Sequence, residues 1–213
     1  MTSLLRFEHC GRFVFTDAGS VGSGSVGCPL CQQPLQLSLL DAPVRVPCPF
    51  TDGHRTCCCL VISSRLGPSG FSDEDQDELH VGLSNSAGVV YSYTQSGVQR
   101  QCHGWEQSLV IHLVAPSNCH LSFRMRWDRE LETFSSLDMW VPHRFQEDRE
   151  FGSCCYGFTL SFINQLMRSE GNEPISRQMF TTQYVLPRIR TASKYLSIYQ
   201  VICQQGYYST TVL

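Results

Sequence analysis

The sequence predicts an α+β protein, an antiparallel sheet followed by C-terminal helices, with a small cysteine-rich β module ahead of both. Three observations carry this. Residues 79–114 alternate apolar and polar positions, residues 121–205 repeat their apolar positions at helical spacing, and residues 1–70 combine short extended segments with Cys, Gly and Pro. The expected division is a cysteine-rich β module over 1–70 and an α+β domain over 71–213.

In the module the extended segments are Leu4–Phe7, Arg12–Phe15, Val44–Val46 and Leu60–Ser63, and Gly19–Gly27 reads as a flexible loop. A second connector, Gly67–Glu78, carries the acidic run Asp73-Glu74-Asp75, which reads as solvated. Leu79, Val81 and Leu83 then alternate with His80, Gly82 and Ser84, the period of a half-buried strand. Ser84–Gly88 is a turn, Val89–Tyr93 the return strand, and Gln107–Leu113 repeats the alternation. The first helix, Leu121–Phe134, follows a Ser117/Asn118 cap and stacks Trp127, Leu131 and Phe134 on one stripe. Cys154–Met167 does the same with Cys155, Phe158, Phe162 and Leu166. A short helix starts at Ser176, and the last runs from about Thr191 to Gln205, with Cys203 on its apolar face and Gly206 as its stop.

A hydrophobic share of 42% is enough for a core, and a charged share of 16% is not that of a disordered chain. With a net charge of −3 and only Arg188, Arg190 and Lys194 as a local basic group, no nucleic-acid partner is expected. No apolar run approaches the ~18 residues of a transmembrane segment, and none of signal-peptide length precedes the first charges. The expected address is intracellular, cytoplasmic or nuclear. There the twelve cysteines are thiols or metal ligands rather than disulfides, which the Cys57-Cys58-Cys59 run supports. There is no phosphate-binding loop, dinucleotide fingerprint or His-Glu-x-x-His.

Two groups of residues carry candidate chemistry. His80 shares its strand face with Gly82, whose missing side chain leaves room for an approaching group, and a hairpin centred on Ser86 places Ser92 opposite it as an orienting partner. Cys155 begins an amphipathic helix behind Gly152 and Ser153, where unpaired N–H groups and the helix dipole lower a thiol pKa and stabilise an oxyanion. Cysteine at a helix start with histidine on an adjoining strand is a papain-type arrangement, here with the histidine first in the chain. The bland readings are a hydrogen-bonded strand histidine and a small core cysteine.

The second group is Cys28-Pro29-Leu30-Cys31, a C-x2-C knuckle whose turn brings both sulfurs to one side for zinc. Two more ligands are needed, from Cys10 with His9 beside it, Cys48, His54 and Cys57–Cys59. The set preferred for a structural zinc is Cys10, Cys28, Cys31 and His54. Reduced cysteines in a small β subdomain are the alternative.

The segments LHVGLSNSAGVVYSYTQSGV (79–98), CYGFTLSFIN (155–164) and FTTQYVLPRIRTASKYLSIY (180–199) resemble the makorin-2 opposite-strand protein family, as do RFEHCGRFVF (6–15), CPLC (28–31) and APVRVPCPF (42–50). The resemblance covers almost the whole chain, and the family is poorly characterised. More locally, the surroundings of His80 and Cys155 resemble permuted papain-like domains of the lecithin–retinol acyltransferase and NlpC/P60 type, where an Asn-Cys pair opens the helix. That resemblance implies His80 as general base, Cys155 as nucleophile and an orienting group near Ser92. Cys154 stands where those domains have Asn, and so competes for the role. Two functions follow as expectations: a thiol hydrolase or acyltransferase on an acyl or peptide-type substrate, or a non-catalytic adaptor for a protein partner with a zinc-stapled N-terminal module.

Overall fold

The computed structural model describes residues 1–21, 27–35, 42–71, 79–146 and 154–211. The Gly-Ser loop lies partly outside the described residues, and the acidic run at 73–75 and the Gly152-Ser153 pair lie wholly outside them. Two compact units form, one of Met1–Pro49 with Ser193–Leu213 and the other of Phe50–Ala192.

In the first unit β1 (Leu4–His9), β2 (Arg12–Asp17), β3 (Val44–Val46) and β10 (Tyr208–Thr211) make an antiparallel sheet in the order β10-β2-β1-β3. The β1–β2 hairpin turns through Cys10 and Gly11 alone, at φ +56° and +66°. Positive φ at both central residues is the turn whose twist matches two antiparallel strands. Leu4 packs with Tyr195, Ile198 and Ile202 of the last helix, α4 (Leu186–Gln205), and Phe15, Val46 and Cys48 close around them. Cys203 is exposed, so it lies off the apolar face assigned to it from the sequence.

The second unit holds six antiparallel strands: β4 (Phe50–Thr51), β5 (Cys59–Ser64), β6 (Leu79–Ser84), β7 (Val90–Thr94), β8 (Gly97–Gln101) and β9 (Ser108–His112), in the order β4-β9-β5-β6-β7-β8. The α+β class therefore stands, but the boundary at 70 does not coincide with the observed units. β5 and β6, on either side of it, are paired from Leu60↔Leu83 to Ser64↔Leu79. Breaking the chain there would expose a ladder of backbone hydrogen bonds on each side.

Helix α1 (Leu121–Ser135) is capped by His120, whose Nδ1 accepts from the Phe123 N–H at 3.3 Å, while Ser117 and Asn118 sit in a preceding 3-10 turn. Helix α2 (Cys155–Ser169) follows as expected, and Ser176 caps α3 (Arg177–Phe180). The backbone then widens into a π turn, Thr181–Val185, and continues into α4, which therefore starts at Leu186 rather than Thr191. Pro187 donates no hydrogen bond and its ring needs space in the preceding turn, which the wider π turn provides.

Packing follows the two-residue period of the strands. Leu83 pairs with Tyr91, placing Leu79, Val81, Leu83, Tyr91 and Tyr93 on one face. On that face Tyr93 meets Phe158 of α2, and the Tyr91 hydroxyl donates to Glu132 of α1 at 2.8 Å. Trp127 against Phe162 (5.0 Å, 84°) and Trp140 against Phe158 (5.1 Å, 82°) are edge-to-face pairs that fill the layer. The Trp127 indole donates to the Ser84 carbonyl at 3.0 Å, whereas the buried Trp140 indole N–H has no hydrogen-bond partner among the described residues. On the opposite face Trp105 packs with Cys59, Val61 and Val90.

The β6–β7 turn is locked by His54. Its Nδ1 hydrogen-bonds to the Gly88 carbonyl at 2.7 Å and its Nε2 accepts from the Trp105 N–H at 3.3 Å. Gly88 stands at φ +80°, and a Cβ there would run into the His54 carbonyl oxygen. Gly88→Ala is expected to lower unfolding stability by more than about 2 kcal/mol in denaturant titration. Gly104→Ala, at φ +97° but with nothing within 4 Å of its Cβ, is expected to cost less, which separates the clash from the backbone strain.

Candidate metal centre

The two-residue period of β6 decides the fate of the proposed dyad. His80 points to the Trp105 face, its ring 5.4 Å from the indole, and burial lowers its pKa, favouring the neutral ring. The room left by Gly82 is taken by the protein itself: a Cβ there would lie 2.6 Å from Val90 and 3.1 Å from the Trp105 ring. Cys155 belongs to the helix that covers the other face, on the stripe of Phe158 and Phe162. Its sulfur receives the Val81 N–H and interacts with Cys154. Among the described residues no hydrogen bond joins His80 to Cys155. Ser92 does not orient His80 either. The β6–β7 register, Leu83↔Tyr91, sets Gly82 level with Ser92, and the Ser92 hydroxyl donates to Gln101 Oε1 at 3.3 Å.

At the head of α2 the thiol whose pKa is lowered is Cys154. Cys154 occupies the N-cap position, where the Cys155 S–H and the N–H groups of Gly157 and Tyr156 point at its sulfur and hold its pKa down at about 5. Cys155, as the donor to it and more buried, is pushed far up. The lowered thiol expected at Cys155 is therefore found at Cys154, and its largest cause is the Cys155 side chain rather than the helix end.

Metal-ligand geometry is found instead in the first unit. His9 Nδ1 and the sulfurs of Cys10, Cys28 and Cys31 all lie within 4.8 Å of one another, with His9 Nδ1 3.0 Å from Cys10 Sγ and 3.6 Å from Cys31 Sγ. Ligands about 2.0–2.3 Å from a tetrahedral ion stand roughly 3.3–3.8 Å apart, so the set needs little movement to close on a metal. Two turns position it. The His9-Cys10 pair sits at the β1–β2 hairpin, where the left-handed φ of Cys10 turns consecutive residues toward one point instead of opposite sides. The second turn is the Cys28–Cys31 knuckle, closed by Gln32 N–H to Cys28 O at 2.7 Å and Cys28 N–H to Gln33 O at 2.8 Å, with Gln32 at φ +61°. The Gln33 N–H also points at the Cys31 sulfur and, with Cys10, lowers its pKa. Cys28 is buried, His9 and Cys31 half-buried, Cys10 exposed.

Three of the four residues chosen from the sequence, Cys10, Cys28 and Cys31, thus come together, with His9 and not His54 beside them. Both His54 ring nitrogens are engaged, by the Gly88 carbonyl and the Trp105 N–H, whereas His9 was visible beside Cys10 but needed the hairpin turn to be aimed. Cys48 packs into the Leu4 core. A second thiol cluster, Cys57, Cys58 and Cys119, forms in the other unit; Cys119 carried no sequence signal, because its partners lie about sixty residues away in the chain.

Residues 43–202 match the family described as DUF4796 C-terminal. The chain belongs to that family. This DUF4796 chain is also 37% identical to MKRN2 opposite strand protein of Homo sapiens over 209 residues, 98% of this chain and 89% of that protein. No solved structure matches. The matched family region contains the Cys154-Cys155 pair and the second thiol cluster, while His9, Cys10, Cys28 and Cys31 precede it. No helix among the described residues of the DUF4796 chain is long and apolar enough to cross a membrane.

Alkylation should distinguish the two cysteines of α2. Cys154 is expected to react with iodoacetamide at a rate that stays level from neutral pH down toward about 5 and falls below it, as the thiolate is protonated. Cys155→Ala should move that midpoint upward by removing the S–H donor. Peptide mapping that finds Cys155 labelled ahead of Cys154 would contradict the assignment.

Proposed function

We propose that this chain is a zinc-stapled, non-catalytic interaction protein of a reducing intracellular compartment, with His9, Cys10, Cys28 and Cys31 as ligands. The observation that carries the reading is the convergence of four soft or borderline donor atoms from two separate turns within 4.8 Å. A Cys3His set is a closed structural site, with no position left for substrate or water. What zinc supplies there is cross-linking: it ties the β1–β2 hairpin to the knuckle. A cleft of about 530 Å³ borders the staple, lined by Phe7, Glu8, Gly11, Gln33, Pro34 and Leu35 together with His9 and Cys10. Its mix of apolar and hydrogen-bonding groups suits a peptide segment of a protein partner.

Thiol chemistry is the second reading, and it is favoured by the Cys154 thiolate at the α2 N-terminus. In that form the nucleophile for an acyl or peptide-type substrate is Cys154, with Cys155 as its hydrogen-bond donor, and His80 on the opposite face of the sheet.

Elemental analysis of the purified chain is expected to find zinc, and Cys28→Ser or Cys31→Ser to reduce it by one equivalent. Removing zinc with a chelator should lower stability by about 4 kcal/mol if free zinc had stood a thousandfold above its Kd. Equal zinc content and superimposable unfolding curves for wild type and Cys28→Ser would remove the staple.

A further inference from the structure

The sulfurs of Cys57, Cys58 and Cys119 lie within 4.8 Å of one another, those of Cys57 and Cys119 at 3.9 Å. Two features show that this cluster is constructed by the backbone. Consecutive side chains of an extended chain point to opposite sides, yet Cys58 is held at φ +54°, and this left-handed step brings its sulfur round beside that of Cys57. The His9-Cys10 pair of the first cluster uses the same device, with Cys10 at φ +56°. A residue other than glycine is rarely held there without compensation. Cys119 then arrives from just before α1, its carbonyl fixed by Arg124 Nε at 2.9 Å.

The donor set distinguishes this cluster from the first. It contains sulfur alone: no His, Asp or Glu ligand atom among the described residues joins the three thiols within that radius. Soft thiolate donors suit Cu(I), zinc and iron–sulfur clusters alike, but zinc in a structural site takes four protein ligands, so a set of three sulfurs favours Cu(I). Three sulfurs about 2.3 Å from one ion in a plane stand roughly 4 Å apart, taking a zinc-like metal–sulfur bond length. Cys58 is buried and Cys57 and Cys119 half-buried, which shields a bound ion while leaving a route in. The Arg124 guanidinium lies close enough to interact electrostatically with all three sulfurs, and so offsets the net negative charge that three thiolates retain around a monovalent ion.

We infer that Cys57, Cys58 and Cys119 form a second metal site, a three-thiolate site for a soft monovalent cation of the Cu(I) class. Binding forms three metal–sulfur bonds and releases the thiol protons to solvent, with no change of oxidation state. The site is independent of the zinc staple and stands or falls without it.

The test is an anaerobic Cu(I) titration of the reduced full-length chain against a chromophoric Cu(I) chelator, in wild type, Cys119→Ser, Cys57→Ser and Cys28→Ser, each with zinc supplied beforehand. The expected result is one tightly held equivalent of Cu(I) in wild type and in Cys28→Ser, weakened at least about tenfold in Cys119→Ser and Cys57→Ser while their zinc content is unchanged. X-ray absorption of the copper-loaded wild type, which requires no variant to fold, should show a shell of three sulfurs without nitrogen or oxygen. Cu(I) held equally well by wild type and Cys119→Ser overturns the site. So does a copper shell containing nitrogen, or a Cys57–Cys119 disulfide as the form that persists in reductant. Loss of zinc from Cys28→Ser with copper retained, by contrast, speaks only to the first cluster.

Discussion

The alternation of side chains along β6 is the constraint on which most of the second unit depends. Val81 and Leu83 face the aromatic layer built by Trp127, Phe134, Trp140, Phe158 and Phe162. His80 and Gly82, one residue out of phase, face Trp105. The same period that buries the helices therefore separates the histidine from the cysteine helix. Moving His80 to the other face would require a one-residue register slip, and that would carry Val81 and Leu83 out of the core. An apolar layer of this size outweighs any single polar contact the slip would gain.

Backbone conformation shapes the thiol chemistry in a comparable way. Two adjacent ligands are drawn to one point twice in this chain, at His9-Cys10 and at Cys57-Cys58, and each time the cysteine takes a left-handed φ. The two outcomes differ because of what the rest of the fold adds. The first pair meets a knuckle with two more sulfurs, giving a closed set of four. The second meets a single sulfur beside a guanidinium, giving a set of three. At Cys154-Cys155 no such reversal occurs, and the helix start differentiates the neighbours instead: one sulfur collects N–H groups and the other is buried against the sheet.

Much of this was legible in the residues, and the failures have identifiable causes. The strands at 4–9, 12–17, 44–46, 59–64, 79–84, 90–94 and 108–112 and the helices at 121–135 and 155–169 announce themselves through period. Strand β8 does not, because Gln99, Arg100 and Gln101 give its sequence a polar look while its pairing to β7 is made by backbone. Nor does β10, which gains its partner from the opposite end of the chain. The sequence places the start of α4 at about Thr191, whereas the helix begins at Leu186 and passes through Pro187 behind the π turn. Of the candidate ligands, the C-x2-C spacing declared Cys28 and Cys31, whereas finding His9 rather than His54 beside them required knowing which imidazole the Gly88 turn already uses.

What the sequence determined by itself is what depends on neighbours within a few residues: strand and helix periods, helix caps, the knuckle and the α+β class. The tertiary structure decided which of twelve cysteines meet, on which face His80 lies, that Tyr208–Thr211 join the first sheet, and that the thiol pKa is lowered at Cys154 rather than at Cys155. These depend on contacts between residues distant in the chain and on single backbone angles. A positive φ at a cysteine leaves no mark in the sequence, since it is imposed by the surrounding packing and not by the residue's own preference.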